Sequence, residues 1–243
     1  ISIAVTGVQT CALPILLLTG YFMPVSVPVM DLSTSGVFAD AAYYETIHAG
    51  KQQNVAADFR VKKYRLDFSM GLNLTGSAKV YVDRSELKSY RFTLYHGYKV
   101  KQVTDQTGAA LDFRREHDYV TVTRGEAAVE YLCLEYTGKS PKYYSSYAGV
   151  CLPANFAYYP IPGYRELFKD SFYGFIDCSL PYDTAFDVRC SGRKQMYCNL
   201  AARGDNHFAG NARSVTLLSG YYDTLKLNDT LVVYPKYADG EIR

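Results

Sequence analysis

The chain has no tryptophan, no charged side chain before Asp31 and none of the short motifs that mark common active sites. HExxH, GxSxG, a Walker loop and GxGxxG are all missing, so no zinc helix, nucleophile elbow or nucleotide cradle is written into the 243 residues. The histidines, His48, His96, His117 and His207, share no metal-ligand spacing. A net charge of +2 lacks the basic excess of nucleic-acid binders, and Lys62-Lys63 and Arg114-Arg115 read as solvated strand or turn positions. No nucleic-acid partner is expected. Cys11, Cys133, Cys151, Cys178, Cys190 and Cys198 show no CxxC spacing, which argues against a disulfide framework or zinc site and for small buried hydrophobes. Cys190 and Cys198 fall on adjacent predicted strands, where a cross-hairpin bridge is open.

What is present is alternation. In YRLDFSMGLNL, the residues Tyr64, Leu66, Phe68, Met70, Leu72 and Leu74 fall on one face of an extended chain, and Arg65, Asp67, Ser69 and Asn73 on the other. That predicts a strand with one buried face, closed by a turn at Thr75-Gly76. Ala78, Val80 and Val82 repeat the pattern, followed by Tyr90, Phe92 and Leu94, then Tyr98 and Val100. Leu111-Phe113, Val120-Val122 and Leu132-Leu134-Tyr136 continue it, and further strand-like runs reach Pro235. Twenty-four tyrosines and twelve phenylalanines suit such half-buried pleated surfaces. The fold class is mainly β, an antiparallel sandwich or saddle rather than a βαβ fold.

Residues 1–30 form a separate hydrophobic leader. Its greasy part, Leu13 to Met30, suits a membrane span of about 20 residues, although Pro14, Pro24 and Pro28 interrupt it and the basic start of a signal peptide is lacking. Residues 5–15, VTGVQTCALPI, resemble translated sequencing adapter. On that reading LLLTGYFMPVSVPVM is the tail of a transmembrane helix, and the protein is attached to a bacterial cell membrane. An ordinary buried strand or helix is the alternative. Residues 31–57 read as a linker with a short amphipathic helix over Val37–Ala49, where His48 near the C-terminal end suits the helix dipole. Residues 58–243 form the β domain.

His96-Gly97 and His117-Asp118 precede strand residues, positions where an imidazole satisfies local backbone groups rather than performing acid–base chemistry. A self-sufficient hydrolase would need carboxylates gathered in a cleft, and no pair stands out. The segment KSPKYYSSYAGVCLPANFAYYPIPG breaks the strand rhythm. In it Pro153, Pro160 and Pro162 stiffen a loop carrying Phe156, Tyr158 and Tyr159, a rigid aromatic surface suited to binding or domain packing.

The order of YRLDFSMGLNLTGSAKVYV, YRFTLYHGYKVKQV, DYVTV, LEYTGK, LPANFAYYPIPG and LLSGYYDTLKLNDTLVVYPKY resembles the N-terminal β domain of the aminopeptidase N family of zinc metallopeptidases. It is most similar to the version that follows the membrane helices of bacterial ABC-transporter-type permeases. The resemblance spans about Phe59 to Tyr237. One departure stands out: FAYYPIPG replaces an acidic FPCFDEP-like sequence, so the charge network usual at that loop is not preserved. The resemblance implies a non-catalytic domain roofing a peptidase domain of the same polypeptide, with the GxMEN and HExxH motifs, and any zinc, beyond Arg243. No cofactor and no catalytic residue is assigned to the chain itself. It further implies an exposed apolar patch of more than a few hundred Å² at Phe156, Tyr158, Tyr159, Pro160 and Pro162, where the partner domain packs. The alternative is a free-standing cell-surface β-sandwich that uses the same loop to bind peptide or carbohydrate, a reading that the lack of tryptophan weakens for sugars.

Overall fold

The computed structural model describes residues 42–44, 52–141, 144–145, 149–169, 174–227 and 230–236. The hydrophobic leader therefore lies outside the described residues. Of the predicted helix only Ala42, Tyr43 and Tyr44 are described, and they are helical. Among the described residues no helix is long and apolar enough to cross a membrane.

The first strands are β1 (Val61–Met70), β2 (Leu74–Val82), β3 (Ser89–Thr93), β4 (Tyr98–Thr104), β5 (Phe113–Glu116) and β6 (Tyr119–Thr123). They are followed by β7 (Tyr131–Gly138), β8 (Val150–Leu152), β9 (Ile161–Pro162), β10 (Phe168–Lys169), β11 (Gly174–Phe175) and β12 (Thr184–Ser191). The last are β13 (Tyr197–Cys198), β14 (Ala201–Gly204), β15 (His207–Ala212), β16 (Leu217–Ser219), β17 (Tyr222–Leu227) and β18 (Thr230–Pro235). A seven-stranded sheet has the order β14-β15-β12-β1-β2-β7-β4. A four-stranded sheet, β5-β6-β3-β9, and a three-stranded sheet, β13-β16-β8, accompany it, with the hairpins β10-β11 and β17-β18. The fold is thus mainly β, as the alternation predicts. Pairing is antiparallel except at the centre of the large sheet, where β1 and β12 run parallel from Lys63↔Ala185 to Ser69↔Ser191.

Period-two burial is met along β1, where Tyr64, Leu66, Phe68 and Met70 are buried and Arg65, Asp67 and Ser69 face outward. Leu72 departs from expectation: it is 94% exposed, at the tip of the turn that separates β1 from β2. The turn is at Gly71–Asn73, closed by the Gly71 N–H donating to the Asn73 carbonyl, and Thr75-Gly76 lies inside β2. The glycine there serves packing rather than turning. A Cβ on Gly76 would stand 2.5 Å from the Tyr136 ring, which lies across β2 from the neighbouring β7. Small residues in strand interiors often mark such close approach.

Candidate functional site

The Pro-aromatic segment, expected to be exposed, is instead the keystone of the core. Phe156, Tyr158, Tyr159, Pro160 and Pro162 are all buried. Phe156 packs on Tyr95, Tyr144 and Phe175 at centroid distances of 4.9, 4.8 and 5.2 Å. Tyr159 meets Tyr64 edge-on at 5.4 Å. The polar ends of the aromatics are satisfied by backbone carbonyls far away in sequence. Tyr64 donates to the Pro160 carbonyl at 2.8 Å, Tyr136 to Tyr158 at 2.9 Å, and Tyr158 to Val215 at 2.8 Å. Ile161 and Pro162 pair with Thr93 and Phe92 as β9. The segment thereby ties the large sheet to β3 and to the strand leading into β16. The correction has a physical cause: rings stiffened by proline fill a gap between sheets as well as they present a surface, and only distant hydroxyl partners decide between the two.

Two histidines read as isolated in the sequence join one network, His96 at the Asp118 carboxylate and His117 through Tyr43. Asp118, 1% exposed, accepts from the His96 backbone N–H at 2.7 Å and from the Tyr44 hydroxyl at 3.0 Å, and lies 3.2 Å from His96 Nδ1. Tyr43 stacks on the His96 ring at 3.6 Å and its hydroxyl reaches His117 Nδ1 at 3.1 Å. His117 holds a left-handed φ of 54°, which aims Asp118 inward at the start of β6. Burial, reinforced by Asp118, raises the Tyr43 phenol, and burial lowers Arg115 despite the same carboxylate. Arg115 spends its guanidinium on the carbonyls of Leu94, Tyr95, Tyr98 and His117. With the ring of His96 covered by Tyr43 and the carboxylate enclosed, this network fastens the helical turn at 42–44 to the β3–β4 and β5–β6 turns. Asp118→Ala is expected to lower stability by about 2–4 kcal/mol in urea unfolding, since it removes a buried acceptor of two hydrogen bonds. A change under about 0.5 kcal/mol, the usual size for a surface substitution, would contradict the latch.

A cleft of about 690 Å³ opens between residues 54–60, 162–166 and 176–182. Phe59, Tyr164 and Tyr182 form apolar walls, and Arg60, Arg165 and Glu166 add charge. The Arg60 guanidinium lies 5.1 Å from the Tyr182 ring. Pro162 is the one member of the expected aromatic loop that lines it.

Besides Leu72, the exposed large apolar side chains among the described residues lie at the far end of the chain. Tyr221, Leu227 and Leu231 are 70%, 53% and 38% exposed, on or beside the hairpin β17-β18, whose strands pair only with each other among the described residues. Among the described residues no group of three or more His, Cys, Asp or Glu side chains could hold a metal ion. Cys133, Cys151, Cys178, Cys190 and Cys198 are free thiols, so Cys190 and Cys198 form no bridge. Burial pushes the thiols of Cys178, Cys190 and Cys198 up to about 12. His207 stands 2.9 Å from Asp187 on the outer face of the large sheet, and His48 lies outside the described residues.

Neither a protein-family model nor a curated protein matches the chain. Solved structures do. Native leukotriene A4 hydrolase from Saccharomyces cerevisiae aligns with a TM-score of 0.52 at 10% identity, over 82% of this chain and 36% of that one. The yeast enzyme in complex with bestatin gives 0.51 at 10% identity, over 79% and 34%. An M1 zinc metallopeptidase from Deinococcus radiodurans aligns at 0.46 and 13% identity, over 76% and 49%. The likeness is one of fold: the chain shares the β architecture of part of leukotriene A4 hydrolase and spans about a third of that protein's length.

Proposed function

We propose that the chain is the non-catalytic β domain of a membrane-attached, aminopeptidase-like protein of the kind fused to ABC-transporter-type permeases, and that it packs against a zinc peptidase domain of the same polypeptide. The observation that carries this is the fold shared with about a third of leukotriene A4 hydrolase, together with the ordered run of motifs from YRLDFSMGLNL to LVVYPKY that resembles the aminopeptidase N family. Chemistry in such a protein belongs to the peptidase domain, where any zinc would sit.

The docking surface moves with the corrected burial. With Phe156, Tyr158 and Tyr159 inside the core, the partner domain packs on the hairpin β17-β18, through Leu227 and Leu231. A hairpin that, among the described residues, pairs with no other strand and leaves leucines half in water is stabilised by a neighbour that covers them. The substitution pair Leu227→Lys and Leu231→Lys is expected to reduce binding of a hydrophobic dye and self-association of the isolated chain. Stability should change by no more than about 0.5 kcal/mol. Unchanged dye binding would overturn this placement.

The second reading, a cell-surface module for peptide or carbohydrate, draws on the cleft beside Tyr164 and Tyr182, whose size is in the range of ligand pockets. Saturable binding of a peptide or glycan, abolished by Tyr182→Ala, would favour it over the docking role.

A further inference from the structure

The outer face of the seven-stranded sheet holds positive charge that its own carboxylates leave uncompensated. Arg65 on β1 stands directly opposite Lys79 on β2, and Lys63, two residues along the same face of β1, stands opposite Tyr81. Like charges facing each other across an antiparallel pair repel. The two lysines turn to aromatic rings instead of acids: the Lys63 ammonium lies 5.9 Å from the centre of Tyr81, and that of Lys79 5.3 Å from Tyr131. These rings adjoin each other at 4.9 Å. Among the described residues no carboxylate comes within 4.0 Å of either lysine.

Arg65 fares little better. Its Nε is 3.7 Å from Asp187 and makes no hydrogen bond. Asp187 is already engaged by His207 Nε2 at 2.9 Å and approached by Arg189 Nε at 4.0 Å. Two guanidinium groups and an imidazole thus crowd around one carboxylate while two lysines have none. Asp67 and Glu135 stand one row farther along the sheet, each opposite Ser77, and close off that side. The opposite side is bounded by the two tyrosines.

We propose that Lys63, Arg65 and Lys79 form a binding site for a phosphate-class oxyanion, with Tyr81 and Tyr131 as the apolar edge against which its ester group rests. Opposed strand positions lie about 5 Å apart and same-face neighbours about 7 Å apart, so the three side chains spring from adjacent positions, and Lys63 and Lys79 would swing off their rings to meet one small dianion beside Arg65. Guanidinium and ammonium donors to phosphate make the stronger, charge-assisted class of hydrogen bond. The site is distinct from the hairpin and does not depend on the docking role.

The test uses the full chain with phenyl phosphate, ionic strength being held constant with sodium chloride because exposed charges are screened. Phenyl phosphate is expected to raise the melting temperature and to titrate as one site by calorimetry. Lys63→Gln and Lys79→Gln should each weaken binding about tenfold, the effect of losing one charge-assisted hydrogen bond. Lys99→Gln, on edge strand β4, should leave it unchanged. Sedimentation with phosphatidylglycerol vesicles forms a second arm: capture sensitive to Lys63→Gln and Lys79→Gln, without phenyl phosphate binding, assigns the same oxyanion chemistry to a lipid headgroup. Without ligand, Lys79→Gln should raise the melting temperature at low salt, by relieving its opposition to Arg65. A lowered melting temperature there, or ligand shifts identical in wild type and both glutamine variants, would overturn the proposal.

Discussion

Alkaline titration is expected to unfold the protein cooperatively near about pH 11, one unit above the ordinary tyrosine value. Tyr64, Tyr98, Tyr136, Tyr158 and Tyr159 are essentially inaccessible, and burial raises every one of these phenols. Ser140, bonded at 2.6 Å, opposes the shift at Tyr98 without cancelling it. Tyr64, Tyr136 and Tyr158 donate their hydroxyl protons to carbonyls, and a phenolate has none to donate. Because the folded values lie above the unfolded one, the stabilisation is complete below about pH 10 and is lost as pH rises, the unfolded chain releasing protons first. At one unit above the free value each buried phenol costs about 1.4 kcal/mol, and the five together about 7 kcal/mol, comparable to the whole stability of about 5–15 kcal/mol of a typical domain. Tyrosinate absorbance should therefore rise in two steps, exposed tyrosines first and the buried group together with loss of circular dichroism. A single smooth ionisation with the fold intact would contradict the account of the core.

Phe156→Ala is expected to be the most damaging single truncation, lowering stability by about 3–5 kcal/mol in denaturant unfolding. Its ring is surrounded by Tyr95, Tyr144 and Phe175 and fully enclosed. Tyr158→Phe probes the same segment more finely. It leaves the ring in place but removes the donor to Val215, for an expected loss of about 1–3 kcal/mol. Were this segment a partner-facing surface, both substitutions would fall within about 0.5 kcal/mol of wild type and would act on association instead.

Much of the sheet content was legible because β1, β2, β3 and β7 each have one wet face, and period-two alternation reports such strands directly. The β1–β2 turn was misplaced because Gly76 looks like a turn glycine. Its reason for being small, the Tyr136 ring, comes from β7, about sixty positions away. The parallel pairing of β1 with β12 leaves no local trace either, since either strand could have paired otherwise at equal alternation. For the candidate site, proline and aromatic content singled out the segment 139–163, yet the exposure expected of its aromatic residues is not found. What buries it are hydroxyl bonds from Tyr64 and Tyr136, far from the segment in sequence. His96 and Asp118 could have been paired in advance only by knowing that the β3–β4 and β5–β6 turns meet at one end of the fold. The hairpin β17-β18 was legible as two strands but not as an outlier, because Leu225, Leu227 and Leu231 look as core-bound as any other leucines.

The central proposal, a β domain covering a peptidase domain of its own polypeptide, is tested most directly by reading the gene in frame past the codon for Arg243. An HExxH motif with a downstream glutamate is the result expected. A stop codon, or a following domain without a metal-binding helix, would contradict it.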